Sequence, residues 1–123
     1  MKILIVDGDP FVSHSIQQLF KAVTGNELYS AETTEDALSL LEKNRNEVFD
    51  LMITELDLTN KNDGLMIIEQ AHTISAGKTK IVLLSGSMTP TLAVQALKCG
   101  AFAAVDKFTG FLGEFYSLGL LKK

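Results

Sequence analysis

Acidic, hydroxyl and cationic side chains recur in this sequence just after short apolar segments. These residues are Asp7, Asp9, Glu55, Asp57, Ser85 and Lys107. In proteins, carboxylates hold divalent cations, while hydroxyl and ammonium groups contact phosphoryl oxygens and neutralise their charge. The residue types therefore predict chemistry on a phosphoryl group, provided that the fold brings these side chains together.

The apolar segments alternate with segments of helical periodicity, which is the pattern of βα units around a parallel sheet. The strands are predicted at residues 3–6, 27–31, 49–54, 80–84 and 102–105, each followed by a predicted helix. The sequence therefore predicts an α/β fold, a doubly wound five-stranded parallel sheet with five helices. Ligands of such sheets bind beyond the carboxyl ends of the strands, which is where the candidate residues lie.

Local signals predict where several helices begin and end. Asp9, which precedes a proline, and Thr33 are expected to cap helix N-termini, and Pro90 is expected to start a helix that Gly100 ends. The last helix is predicted from about residue 109 to residue 121. It contains two glycines, and each costs about 1 kcal/mol in a helix interior, so we expect this helix to be short or loosely held.

Composition narrows the class of protein. The 123-residue chain is long enough for one compact domain, expected to span residues 1–123. A net charge of −4 and a longest basic cluster of only Lys122–Lys123 argue against direct binding to nucleic acid. No apolar stretch reaches the roughly 18 residues of a membrane span, and the one cysteine, Cys99, suits a reducing compartment. We therefore expect a cytoplasmic protein that binds neither nucleic acid nor membrane.

The order of residues at the strand ends carries a family resemblance. Asp7 after the first strand, Glu55 after the third, Gly64 at a helix start, Ser85 after the fourth strand and Lys107 after the fifth form the pattern. Over essentially its whole length, the chain resembles the receiver domain of two-component response regulators. The resemblance implies a flavodoxin-like fold and a role in signal transduction through a phosphorelay, not an enzyme activity. It also implies that a partner histidine donates the phosphoryl group to an aspartate, with Mg²⁺ required.

Several positions depart from the family pattern, and most of them lie at the chemistry. Glu55 stands where the family has its phosphoacceptor aspartate, and Gly8 replaces an acid that binds the metal. Ala104 stands in place of a switching aromatic residue, and Thr59 in place of a proline, within a loop one residue longer than usual. Phe108 replaces a proline that follows a cis bond, so we predict a trans bond there. A misplacement of about 1 Å can slow a transfer step about 10²-fold, so we predict a pseudo-receiver.

The resemblance assigns roles to the candidate residues. Glu55, at the phosphoacceptor position, Ser85 and Lys107 would be the site residues, and Asp7, Glu55 and the backbone of Asp57 would be the metal ligands. Mg²⁺ binding should be weakened, because Gly8 supplies no carboxylate. Our hypothesis is that Glu55 is a fixed anion that reaches toward Lys107 and Ser85.

Two other functions are compatible with the sequence. Asp7 and Asp9 resemble the nucleophile and general acid/base of haloacid-dehalogenase-type phosphohydrolases, with Ser85 and Lys107 in the order of the next two motifs of that family. Alternatively, the chain could be a receiver that is still phosphorylated, on Asp57. In the first case the protein would be an enzyme, and in the second a conventional signalling domain.

The resemblance also implies protein partners. These would be a histidine kinase, a phosphotransfer protein or an output domain, or a second copy of the chain in a homodimer. Receivers commonly bind through the face formed by the fourth helix, the fifth strand and the fifth helix. Leu92, Val94, Phe102 and Phe111 are the candidate apolar anchors on that face, although core packing is the expected role of most of them.

Overall fold

The computed structural model describes residues 1–23, 25–108 and 111–121, except for the side chain of Phe111. The strands in these ranges are β1 (Lys2–Val6), β2 (Glu27–Ala31), β3 (Leu51–Glu55), β4 (Lys80–Ser85) and β5 (Ala103–Asp106). The helices are α1 (Pro10–Lys21), α2 (Thr34–Lys43), α3 (Asp63–Ser75), α4 (Pro90–Cys99) and α5 (Phe111–Ser117). All strand pairs are parallel, in the order β2-β1-β3-β4-β5, which confirms the predicted doubly wound fold.

The sheet is buried on both faces, because alternate residues of each strand serve two different cores. On β1, Ile3 and Ile5 pack with residues of α1 and α5, while Leu4 and Val6 pack with residues of α2, α3 and α4. The helices therefore lie in two layers, with α1 and α5 on one face of the sheet. Within the described ranges, none of the helices has the length and apolar character needed to cross a lipid bilayer.

The predicted caps are present. The side chain of Asp9 accepts a hydrogen bond from Phe11 N–H, and Thr33 accepts one from Asp36 N–H. Helix α4 begins at Pro90 and ends at Cys99, and the φ of 115° at its C-cap, Gly100, is a left-handed value that glycine tolerates. These caps fix where α1, α2 and α4 begin.

The last helix and the third strand differ from their predicted bounds. Helix α5 ends at Ser117, four residues before the predicted end, because Gly119 adopts a left-handed φ of 74°. The predicted start at residue 109 lies outside the described residues. Strand β3 begins at Leu51, two residues after the predicted start, and Phe49, which precedes it, is buried in the core.

Gly64 allows α3 to approach the end of β3, and therefore affects how Glu55 is positioned. A Cβ atom at Gly64 would lie 2.2 Å from the carbonyl oxygen of Glu55 and 2.9 Å from Leu56 Cα. Its backbone N–H also donates to Leu56 O over 2.7 Å. No side chain fits at this position without moving the backbone that carries Glu55.

We predict that Gly64→Ala lowers the free energy of unfolding by about 1–3 kcal/mol, because the added methyl group forces a backbone shift. The matched control is Gly113→Ala in α5, where a Cβ would have no neighbour within 4 Å. That change should raise stability by about 0.5–1 kcal/mol, because alanine favours a helix interior. Urea denaturation of both variants measures the two effects, and shifts of the same sign would contradict the prediction.

Candidate functional site

Asp7 is the buried acid at the end of β1. Its side chain is only 2% exposed, and its Oδ1 accepts a hydrogen bond from Asp9 N–H over 2.8 Å. Its Oδ2 lies 3.2 Å from Lys107 Nζ. Asp7 is thus held by the turn that leads into α1 and by the cation that follows β5.

Glu55 is the last residue of β3, and both of its carboxylate oxygens have partners. Oε1 accepts a hydrogen bond from Gly8 N–H over 2.7 Å, and Oε2 accepts one from Lys107 Nζ over 3.0 Å. The side chain is 16% exposed. It therefore spans from the end of β1 to the end of β5, and the predicted contact with Lys107 is present.

The backbone of Gly8 is a contact that the sequence did not indicate. A Cβ at Gly8 would lie 3.3 Å from Glu55 Oε1, a tight separation that would require the carboxylate to shift by a few tenths of an ångström. The longer acid at position 55 and the missing side chain at position 8 therefore fit each other. The sequence contained one signal of this contact, because Glu55 and Gly8 both depart from the family pattern in the same chain. We call the group Asp7, Gly8, Glu55 and Lys107 the acidic crevice.

The charges in the acidic crevice perturb one another. Burial raises the pKa of Asp7 above its ordinary value, and the neighbouring charge of Glu55 adds to that effect. Burial favours the neutral form of Lys107 and by itself would lower the pKa of this side chain. The hydrogen bond to Glu55 and the charge of Asp7 act in the opposite direction, and the pKa is raised overall. The ammonium therefore stays charged between two carboxylates.

Ser85 lies at the same edge of the sheet but makes a different contact from the predicted one. It is buried at the end of β4, and its Oγ accepts a hydrogen bond from Ser87 N–H over 3.1 Å. Among the hydrogen bonds of the described residues, none joins Ser85 to Glu55. The hydroxyl is engaged by the turn of its own loop, so the predicted contact between Ser85 and Glu55 is wrong.

The remaining predicted residues serve the loops. Asp57 is exposed, and its Oδ1 accepts a hydrogen bond from Asn62 N–H over 2.7 Å. Asp9 caps α1 through Phe11 N–H. The fold thus brings Asp7, Glu55 and Lys107 into contact, and gives Asp9 and Asp57 roles in local backbone structure.

The sequence matches the family model of the response regulator receiver domain over residues 3–111. The chain belongs to this family. A CheY-like receiver domain from Methanospirillum hungatei JF-1 is 25% identical with a TM-score of 0.80, over 97% of this chain and 90% of that one. A receiver domain from Clostridium thermocellum is 24% identical with a TM-score of 0.81, over 97% of this chain and 91% of that one. No curated protein matches the sequence significantly.

One similar structure was determined with ligands. It is a response regulator protein from Burkholderia pseudomallei with a phosphorylated aspartic acid, a calcium ion and citrate. It is 22% identical with a TM-score of 0.80 over 95% of this chain, which spans 65% of the length of that protein. This receiver therefore shares the fold of a protein that carries both a phosphoryl group and a cation.

Receiver domains typically bind Mg²⁺ or Ca²⁺ at their acidic site, which in this receiver would offer the carboxylates of Asp7 and Glu55. Among the described residues, no three His, Cys, Asp or Glu side chains form a group that could hold a metal ion. Asp7 and Glu55 are the two carboxylates of the acidic crevice, and both contact Lys107. Mg²⁺ commonly binds through one or two carboxylates, and here both carboxylates already contact the ammonium of Lys107, so we expect its binding to be weakened. The peptide bond before Phe108 is trans, as predicted.

We predict that Asp7→Asn reduces the dependence of stability on pH. A carboxyl group whose pKa is higher in the folded than in the unfolded state binds its proton more tightly when folded. Its contribution to stability therefore falls as the pH rises from about 3.9, the unfolded value, through the raised folded value. In urea denaturation between about pH 4 and pH 8, the free energy of unfolding of the variant should increase relative to that of the wild type as the pH rises. A difference that is constant, or that moves the other way, would contradict this.

Proposed function

We propose that this receiver is atypical, and that it signals through protein–protein binding without phosphorylation of Glu55. The observation that supports this is the bridge that Glu55 makes between Gly8 N–H and Lys107 Nζ. A carboxylate fixed there takes the interactions that a transferred phosphoryl group would need. Under this proposal, Lys107 and Ser85 remain residues of the site together with Glu55. The chain would act as a single cytoplasmic domain over residues 1–123, and it would have no enzyme activity.

Phosphoryl transfer depends almost entirely on positioning and on neutralisation of charge. In the acidic crevice, each oxygen of Glu55 accepts a hydrogen bond, which fixes its direction and makes it a weaker nucleophile. The two carboxyl groups that would share a metal, Asp7 and Glu55, both contact the ammonium of Lys107. Both requirements of the reaction are therefore weakened together, which supports a fixed anion over a transient phosphoacceptor.

The structure does not favour the two alternative functions. A phosphohydrolase would need Asp9 as a free acid/base, whereas its side chain caps α1. A receiver phosphorylated on Asp57 would need that carboxylate at the acidic crevice, whereas it binds Asn62 N–H in an exposed loop. Neither residue contacts the Lys107 ammonium within the described ion pairs.

Receiver domains interact with histidine kinases and output domains, and the proposed docking face here comprises α4, β5 and α5. Five large apolar side chains from this region are at least 36% exposed, namely Val94, Leu97, Phe102, Leu112 and Tyr116. Leu92 is only 8% exposed and packs in the core, which was the expected role of most of the candidate anchors, so it is not part of the docking face. The side chain of Phe111 lies outside the described residues.

We predict that the wild type gains no phosphoryl group from a small phosphodonor with Mg²⁺, because the donors of the site are occupied. The double variant Gly8→Asp/Glu55→Asp should become phosphorylated at position 55, since it regains a second acid and shortens the nucleophile. Intact-protein mass spectrometry measures the gain of one phosphoryl group. A rapid gain in the wild type that Glu55→Gln abolishes would overturn the proposal.

The single variants are the controls for this experiment. Glu55→Asp alone lacks the second acid, and Gly8→Asp alone places a carboxylate beside Glu55 Oε1. We expect each to react at least about tenfold more slowly than the double variant. If Asp57→Asn reduced any labelling of the wild type, the alternative receiver function would be supported instead.

We also predict that Leu97→Glu weakens self-association through the α4-β5-α5 face at least about tenfold, because it places a charge in an apolar contact. Met66→Glu, at an exposed apolar position of α3, is the matched control. Sedimentation equilibrium of the wild type and both variants measures the dimer dissociation constant. A wild type that is monomeric at every concentration, or equal weakening by Met66→Glu, would rule out the homodimer on this face.

A further inference from the structure

The ring of Phe108 lies against the loop between β4 and α4. A Cβ atom at Gly86 would be 2.4 Å from Phe108 Cε2 and 3.1 Å from Phe108 Cδ2, so only a residue without a side chain lets the ring come this close to the loop. The family pattern has a proline at position 108, whose ring is shorter than a phenylalanine side chain. The contact between Phe108 and Gly86 is therefore a feature of this chain.

The backbone that carries the ring is held by other contacts. Lys107 N–H donates a hydrogen bond to Ser85 O over 2.9 Å, and Phe108 N–H donates one to the carboxylate of Asp106 over 2.8 Å. Ser85 and Asp106 are also paired between β4 and β5. The ring of Phe108 can therefore move without disturbing the backbone of either strand.

The loop under the ring sets the direction of the Ser85 hydroxyl. Ser87 N–H donates a hydrogen bond to Ser85 Oγ over 3.1 Å, and Gly86 lies between these two residues. Met88, which comes next, packs against the core. Gly86 is thus the point at which the loop turns, and its placement decides whether the hydroxyl of Ser85 stays with Ser87.

Only a small apolar area holds the ring against the loop. Phe108 is 77% exposed. It therefore buries ~50 Å² of the roughly 200 Å² that a phenylalanine side chain buries in a core. An apolar contact of this size favours the closed arrangement about tenfold over the open one. The contact is strong enough to set the major arrangement of the loop and weak enough to be released.

We propose that Phe108 is an autoinhibitory latch, whose ring rests on Gly86 and keeps the hydroxyl of Ser85 bound to Ser87 N–H and away from the acidic crevice. When the ring moves into solvent, the loop is released and the hydroxyl of Ser85 is free to turn toward Glu55. The latch lies within the chain and needs no partner protein. The proposal goes beyond the proposed function, because it holds whether or not Glu55 accepts a phosphoryl group.

The exchange of the Ser87 amide proton with water measures how often the loop is released. Phe108→Ala removes the ring and should raise this rate about fivefold over the wild type, since the open arrangement is then no longer disfavoured about tenfold. Phe108→Leu keeps an apolar side chain over Gly86 and should give an intermediate rate. Thermal unfolding verifies the fold of each variant.

Phe102→Ala is the matched control for this experiment. Phe102 precedes β5, is 46% exposed, and has its ring centroid 5.0 Å from the Lys80 ammonium, so its removal should leave the exchange of the Ser87 amide unchanged. An unchanged rate in folded Phe108→Ala, or an equal rise in Phe102→Ala, would overturn the proposal.

Gly86→Ala tests whether the ring and the loop act as one unit. The added methyl group would meet Phe108 Cε2, the far end of an exposed side chain, so the ring moves away and the backbone stays in place. This variant should therefore raise the exchange of the Ser87 amide as Phe108→Ala does. In the double variant Gly86→Ala/Phe108→Ala, the second substitution should change the rate less than about twofold, because the contact is already lost. Two effects that multiply in the double variant would show independent residues and refute the latch.

Discussion

The contact between Glu55 and Lys107 organises the carboxyl edge of the sheet. Through Gly8 N–H and Lys107 Nζ, one side chain ties the end of β3 to the ends of β1 and β5, which are not its neighbours along the chain. In a partly buried pair, the cost of removing charges from water offsets much of the attraction between them. The bridge therefore contributes less to the overall free energy of unfolding than to fixing a single arrangement of the three strand ends. Removal of one partner would leave the other charge buried beside Asp7.

Two of the departures from the family pattern lie in contact with each other. The carboxylate of Glu55 accepts a hydrogen bond from the backbone N–H of Gly8, and a Cβ at Gly8 would lie 3.3 Å from Glu55 Oε1, so that a side chain there would require the carboxylate to shift by a few tenths of an ångström. The longer acid at position 55 and the missing side chain at position 8 therefore fit each other. The ammonium of Lys107 lies within 3.2 Å of both carboxylates and offsets part of their negative charge.

Sequence reasoning recovered the fold because each of its signals is local. Short stretches of chain are enough to identify the strands that are apolar on both faces, the helix caps at Asp9 and Thr33, and the glycine that follows α4. It placed Asp7, Glu55 and Lys107 at one edge, because parallel strands bring their carboxyl ends together. It did not predict the orientation of the Ser85 hydroxyl or the Gly8 contact, because these depend on how loops from different strands turn toward each other. The early end of α5 follows from the backbone conformation of Gly119, which the helical periodicity did not reveal.

The loop after β4 is where a signal in the acidic crevice would be passed to α4, and here that loop is held by other contacts. The hydroxyl of Ser85 is bound by Ser87 N–H, and the ring of Phe108 covers Gly86. The family resemblance places a switching aromatic residue on β5, whereas Ala104 has no rotamer that could follow a movement of the loop. If Glu55 is a fixed anion, as proposed, these contacts would hold the loop after β4 in one arrangement, and the output of the receiver would depend on the partners that bind its exposed surfaces.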